Sequence, residues 1–232
     1  MGTKIKICGV TDPADAHQAA DLGAWAVGLI FWPESPRACS PDAADEIGAV
    51  LRRRLEIVGV FVNATLDEVA LAADRYSLSI LQLHGDEGPA YCREAARRTG
   101  CRVMKAARIR DAASVRDLGA FRTDIHLLDT HVTGRRGGTG EPFDWALVNV
   151  HPRKPPIVLS GGLRPDNVAE AIEDVGPWAV DTASGTEAEP GRKDPALVQA
   201  FFEAVAAADY VEAPGDELAA AEEAPAAEEA RA

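Results

Sequence analysis

Residues 4–31, "KIKICGVTDPADAHQAADLGAWAVGLIF", decide the fold. They open on an alternating apolar strand, KIKIC (4–8), that ends on a thiol. An Asp-Pro pair then starts an Ala-rich stretch of helical spacing, DPADAHQAADLG (12–23). Asp12 offers a side-chain cap and Pro13 suits the first helical position, where no backbone N–H is needed. Gly23 is the expected stop. A second apolar strand, AVGLIF (26–31), follows. Strand, helix, strand is the crossover unit that parallel pairing requires.

The same unit recurs. Apolar, β-branched runs stand at EIVGVFVN (56–63), SILQLH (79–84), CRVMKA (101–106), DIHLLDT (124–130), PIVLSG (156–161) and WAVDTA (178–183). Helical stretches alternate with them at 41–54, 65–76, 86–100, 110–119, 164–176 and 194–208. Ser40-Pro41 and Asp194-Pro195 repeat the capping pair, and Gly100, Gly119 and Gly176 repeat the stop. Eight near-continuous apolar strands imply a parallel sheet covered on both faces. A doubly wound open sheet is the alternative, but no GxGxxG follows the first strand. The expectation is an α/β protein, a single-domain (β/α)8 TIM barrel over residues 1–210.

Residues 211–232, VEAPGDELAAAEEAPAAEEARA, differ in kind. Of the chain's net charge of −13 they carry −6, and they hold almost no large apolar residues. That composition predicts a disordered, solvating tail. The body has no basic face, so nucleic acid is not an expected partner. No apolar run reaches the roughly 18 residues a membrane span needs, and no apolar signal segment precedes the first strand. A soluble cytoplasmic monomer is expected. The four cysteines, at 8, 39, 92 and 101, show no metal-ligand spacing and read as free thiols.

In a barrel, the C-terminal strand ends and the loops after them build the active-site face. Taken in order, those positions read Cys8, Arg37, Asn63, His84, Lys105, Asp129, Ser160-Gly161-Gly162 and Asp181. Thiol, carboxylate, imidazole and ammonium groups gathered at one rim point to catalysis. Two late segments, SGGLRPDNV (160–168) and SGTEAEPG (184–191), are rich in small residues that expose backbone N–H groups, as phosphate-binding loops do.

KICGVT (6–11), GLIFWPESPR (28–37), VGVFVN (58–63), LQLHGDE (81–87), LLDT (127–130), GGTGEPFDW (137–145), LSGGLRPDNV (159–168) and SGTEAEPGRKD (184–194) together make the chain resemble phosphoribosylanthranilate isomerase, a tryptophan-pathway barrel family. The likeness runs from Lys4 to about Ala208. It departs at VDTASG (180–185), where the family more usually reads VDVSSG.

The resemblance implies an Amadori rearrangement of N-(5-phosphoribosyl)anthranilate to 1-(2-carboxyphenylamino)-1-deoxyribulose 5-phosphate, without metal or organic cofactor. By the same resemblance, Asp129 is the general acid that opens the furanose ring and Cys8 the general base. Position alone would equally allow Cys8 to be a small buried strand-end residue. Arg37 is expected to grip the anthranilate carboxylate. His84 and Asp181 line the pocket or make structural hydrogen bonds. Lys105 favours anions or extends along the strand end. Gly161, Gly162, Ser184 and Gly185 are expected to hold the phosphate, and TGRRGGTG (133–140) reads as a lid or a turn. A sibling phosphosugar barrel would need a Lys/Glu-rich rim or Asp at the ends of strands one and five. A non-catalytic phosphosugar-binding module would keep the rim and lose turnover.

Overall fold

The computed structural model describes residues 2–129 and 145–211. Eight parallel strands close, in sequence order, into a barrel. They are β1 (Lys4–Cys8), β2 (Ala26–Ile30), β3 (Glu56–Phe61), β4 (Ile80–Leu83), β5 (Arg102–Arg108), β6 (Ile125–Asp129), β7 (Ile157–Ser160) and β8 (Ala179–Thr182). Around them lie α1 (Pro13–Asp21), α2 (Pro41–Leu51), α3 (Leu66–Arg75), α4 (Pro89–Thr99), α5 (Ala112–Asp117), α6 (Val168–Val175) and α7 (Pro195–Val211). The fold is the (β/α)8 barrel that the strand spacing predicts.

Helix starts follow the capping chemistry. Asp12 accepts from the Ala14 N–H at 2.8 Å, Ser40 from Ala43 at 3.3 Å and Asp194 from Ala196 at 2.8 Å. Gly100 and Gly176 end α4 and α6 with φ of 70° and 54°, a region only glycine enters cheaply. Gly119 does not act as a stop. α5 continues into a 3-10 turn over Leu118–Ala120, and Gly119 lies inside it. A 3-10 helix at Trp145–Val150 and a hairpin of β9 (Glu187–Glu189) with β10 (Arg192–Lys193) complete the described elements. The stretch at 133–140 expected to be a lid or a turn, the GGTGEPFDW stretch up to residue 144 and the tail from residue 212 lie outside the described residues.

Strand pleating sorts the buried side chains into two populations. Ile5, Ile7, Val27, Leu29, Leu81, Leu83 and Val180 face outward and pack beneath the helices with Ile47, Val69, Ile172 and Phe201. Val58, Val60, Ile80, Met104, Ile125, Leu127 and Val158 fill the interior together with Cys8. Below them Trp25 and Trp178 meet edge to face at 4.7 Å between ring centroids, under the Lys4 ammonium. The barrel is a packed core, so a reactive group has room only at its upper rim.

A buried histidine pair lies in the outer layer. His126 Nδ1 is 2.8 Å from His151 Nε2. His151 Nδ1 accepts the Arg153 N–H at 3.0 Å. Neutral His151 therefore carries its proton on Nε2 and donates it to His126. Burial, with His151 alongside, pushes His126 from 6.5 down to about 4, and burial with the Arg153 charge also lowers His151. Unfolded imidazoles take up protons near 6.5, before the native pair does. Stability is thus full above about pH 6.5, declines as pH falls toward about 4, and levels off below. We expect His126 alone to account for about 2–3 kcal/mol of that loss. Urea unfolding between pH 7 and 4 checks it: the decline should shrink in His126→Gln, and an equal decline in both proteins would refute it.

Candidate active site

One cavity of about 420 Å³ opens at the C-terminal end of the barrel, lined by Cys8, Arg37, His84, Asp129, Gly161, Gly162, Asp181 and Ser184 among others. Eight of the nine site residues expected from the sequence therefore meet in one space. The ninth, Gly185, is buried next to it, where an added Cβ would fall 1.9 Å from the Leu163 carbonyl oxygen. Its bareness serves the packing of the loop after β8 against the loop after β7. Two further rim positions do not share the cavity. Asn63 and Lys105 line a neighbouring space of about 550 Å³, which His84 also borders.

Lys105 shows why. It lies one residue out of phase with Met104 and Ala106, which face the interior, so its ammonium points outward. There it meets Glu87 at 2.9 Å and donates to the Gly85 carbonyl at 2.7 Å. Glu87 in turn accepts from the N–H groups of Asn63 and Gly85. Lys105 and Glu87 thus tie the loops after β3 and β4 together and leave His84 at the edge of the site. Of the two readings of Lys105, an anion attractor or a side chain extended along the strand end, this ion pair on the outer face favours the second.

Cys8 is the last residue of β1 and Asp129 the last of β6. Burial pushes the Cys8 thiol above its ordinary value, and the Lys6 ammonium opposes the rise. Asp129 Oδ2 is 3.5 Å from His84 Nε2. Gln82 Nε2 lies 3.1 Å from the other ring nitrogen of His84. In this arrangement the amide donates to Nδ1, so neutral His84 keeps its proton on Nε2, facing the carboxylate. Gln82 Oε1 is buried and has no hydrogen-bond partner among the described residues.

Arg37 is held by Glu187, through Nε at 2.8 and 3.0 Å and Nη2 at 2.7 Å. Burial would raise Glu187, but the hydrogen bonds of Arg37 and the Lys193 charge outweigh it and keep the carboxyl below its usual range. Lys193, also buried, donates to the Ala183 carbonyl at 2.9 Å and meets Glu187 at 3.3 Å. The backbone of the same hairpin is fixed by Asp15 and by the Thr11 hydroxyl, which donates to the Gly191 carbonyl. Part of SGTEAEPG is therefore this hairpin, which pins Arg37 in place, and only its start at Ser184 borders the cavity.

Sequence reasoning missed Lys6, Ser160 as a side-chain donor, Gln82, Glu187 and Lys193. Lys6 was visible in principle, being a charge in the middle of an apolar strand and in phase with Cys8. Its Nζ is 2.7 Å from Asp181 Oδ1, and the Ser160 hydroxyl donates to Oδ2 at 3.0 Å. Trp32 does not reach this cavity; it lines a separate groove with Phe61 and Tyr76. Among the described residues, no group of three or more His, Cys, Asp or Glu side chains forms a metal cage, and no helix is long and apolar enough to cross a membrane.

A closed parallel eight-stranded barrel with a carboxyl, a thiol and a guanidinium gathered at its upper rim has the architecture of a (β/α)8 barrel enzyme. The chain belongs to the N-(5'-phosphoribosyl)anthranilate (PRA) isomerase family, whose model matches residues 5–204. It is 47% identical over 197 residues to N-(5'-phosphoribosyl)anthranilate isomerase of Citrifermentans bemidjiense, covering 85% of this chain and 94% of that one. A solved phosphoribosyl anthranilate isomerase in complex with reduced 1-(o-carboxyphenylamino)-1-deoxyribulose 5-phosphate superposes with a TM-score of 0.76 at 36% identity, covering 88% of this chain and 99% of that one. Monomers of the dimeric phosphoribosylanthranilate isomerase of Thermotoga maritima give the same score and identity, covering 88% and 98%.

Proposed function

We propose that the chain isomerises N-(5-phosphoribosyl)anthranilate to 1-(2-carboxyphenylamino)-1-deoxyribulose 5-phosphate, as a step of tryptophan biosynthesis. The observation that carries this reading is the single cavity that holds Cys8 and Asp129 together with Arg37 and the glycine turn at 161–162. Asp129 gives a proton to the ring oxygen, the C1′–O bond breaks, and the anilino lone pair makes an iminium. That cation acidifies the C2′–H. The Cys8 thiolate removes this proton, leaving an enolamine that gains a proton at C1′ and loses the one on the C2′ hydroxyl to become the ketone. Protons balance, and no electrons leave the substrate.

Arg37 carries the anthranilate carboxylate on the Nη1 side, which its pair with Glu187 does not use. The turn at Gly161 and Gly162, with Ser184 and Gly185, receives the phosphate largely through backbone N–H groups. Gln82 Oε1 takes a donor from the substrate, since a buried acceptor left unpaired is costly unless a ligand satisfies it. Monomeric behaviour is part of the proposal. It is supported by the scatter of the exposed large apolar side chains among the described residues: Trp32 follows β2, Val50 lies on α2, Leu71 on α3, Val150 on the 3-10 helix before β7, and Leu197 and Tyr210 near opposite ends of α7. Sedimentation would expose a dimer.

The direct test uses freshly generated phosphoribosylanthranilate, whose fluorescence is lost on isomerisation. Loss of signal at a rate proportional to enzyme is expected. Binding of the compound without turnover would replace the isomerase with the phosphosugar-binding module.

A further inference from the structure

The barrel interior holds one feature that packing does not explain. Lys6 is completely buried, and its partner Asp181 is 4% exposed. Desolvating both charges is expensive, and a pair of apolar side chains such as those in the neighbouring strands would fill the same volume without that cost. The register shows what the pair adjoins. Lys6 stands opposite Asp181 across the β1–β8 ladder, and Cys8 stands opposite Gly28 across β1–β2. A Cβ on Gly28 would lie 2.8 Å from Cys8 Sγ and 3.1 Å from Lys6 Nζ. The sulfur and the ammonium therefore crowd the same bare Cα and are no more than about 6 Å apart, close enough for a cation to favour a thiolate.

We propose that Lys6 is the positioning residue for the Cys8 thiolate: its ammonium, clamped by Asp181 at 2.7 Å and given room by Gly28, supplies the counter-charge when the sulfur loses its proton. Asp181 keeps Lys6 charged in the interior, and Ser160 fixes the second oxygen of Asp181. The other groups around Cys8 are Lys193 on the hairpin, Arg37 in the loop after β2, and His84 and Asp129 on the cavity wall. Burial raises the thiol, the Asp181 charge adds to the rise, and Lys6 is the strongest influence in the opposite direction. This assignment rests on the reading of Cys8 as the base.

The test is the rate at which iodoacetamide alkylates Cys8 between pH 6 and 11, followed on the Cys8 peptide by mass spectrometry in the full chain. The pH at which Cys8 becomes reactive is the readout. Lys6→Met should raise that pH and slow alkylation at pH 8 by about tenfold or more, the effect of one pH unit. Lys6→Met leaves a buried carboxylate unpaired and is expected to fold poorly. The deciding comparison is therefore Lys6→Met/Asp181→Asn against the wild type, which removes the ion pair without leaving either charge buried and unpaired. The double variant should react about tenfold more slowly, and the acid limb of its kcat/KM profile should move to higher pH by the same amount. Equal titrations in these two proteins would overturn the proposal. Normal turnover in Cys8→Ala would instead remove the base assignment and leave the titration result standing, so the two failures are distinguishable.

Discussion

Cys8→Ala is expected to lower kcat by about 10³-fold, within the range that a general base contributes, with KM changed less than threefold or so. The thiol is the group proposed to take the C2′ proton, a transfer confined to the transition state, and removing such a group lowers kcat and kcat/KM together. The loss should not arise from unfolding. Cys8 ends its strand against the bare Gly28, and trimming one sulfur there leaves a small void worth about 1 kcal/mol. A melting curve within a few degrees of wild type, with product still bound, separates the two causes. Cys8→Ser should be nearly as slow, because a hydroxyl is far less acidic than a thiol. In the wild type, kcat/KM should climb as pH rises above neutrality, since burial holds the thiol above its ordinary value. A Cys8→Ala enzyme retaining more than about a tenth of wild-type kcat would end the assignment.

Periodicity made the barrel legible, and it made the rim only partly so. Each strand read from apolar runs is present with its ends shifted by no more than two residues, because parallel strands buried on both faces leave an almost continuous apolar signature. Strand phase was harder to read. Lys105 sits at the end of an apolar run as Cys8 does, but one residue of offset turns it to the outer face, where it pairs with Glu87. In β1, by contrast, Lys6 shares the phase of Cys8, and its charge marks the interior face. The clamp on Arg37 was hidden for another reason. Glu187 and Lys193 are about 150 residues away along the chain, in a hairpin too short to carry an alternation, and only ring closure of the barrel brings the loop after β8 beside the loop after β2. Side chains that act alone at strand ends could be named from the sequence. Those that act through a partner on another strand could not.

Asp129→Asn should likewise reduce kcat, by about 10²- to 10⁴-fold, because a carboxamide has the size and polarity of the acid but no proton to give to the ring oxygen. The replacement is nearly isosteric at a partly open position, with 18% of the side chain exposed, so little stability is at stake. The hydrogen-bond geometry makes a second expectation. His84 Nε2 faces Asp129 at 3.5 Å and is itself backed by Gln82. If His84 only orients the carboxyl, His84→Gln should cost about tenfold where Asp129→Asn costs far more, and the basic limb of the pH profile should survive in the former and vanish in the latter. Ring opening can also be bypassed: an open-chain Schiff-base analogue of the substrate, locked against ring closure, would not require protonation of the ring oxygen. With such an analogue Asp129→Asn should recover most of the wild-type rate, and Cys8→Ala should recover none. A deficit in Asp129→Asn that is just as deep with the open-chain analogue would place the carboxyl at the proton-abstraction step and reverse the assigned roles.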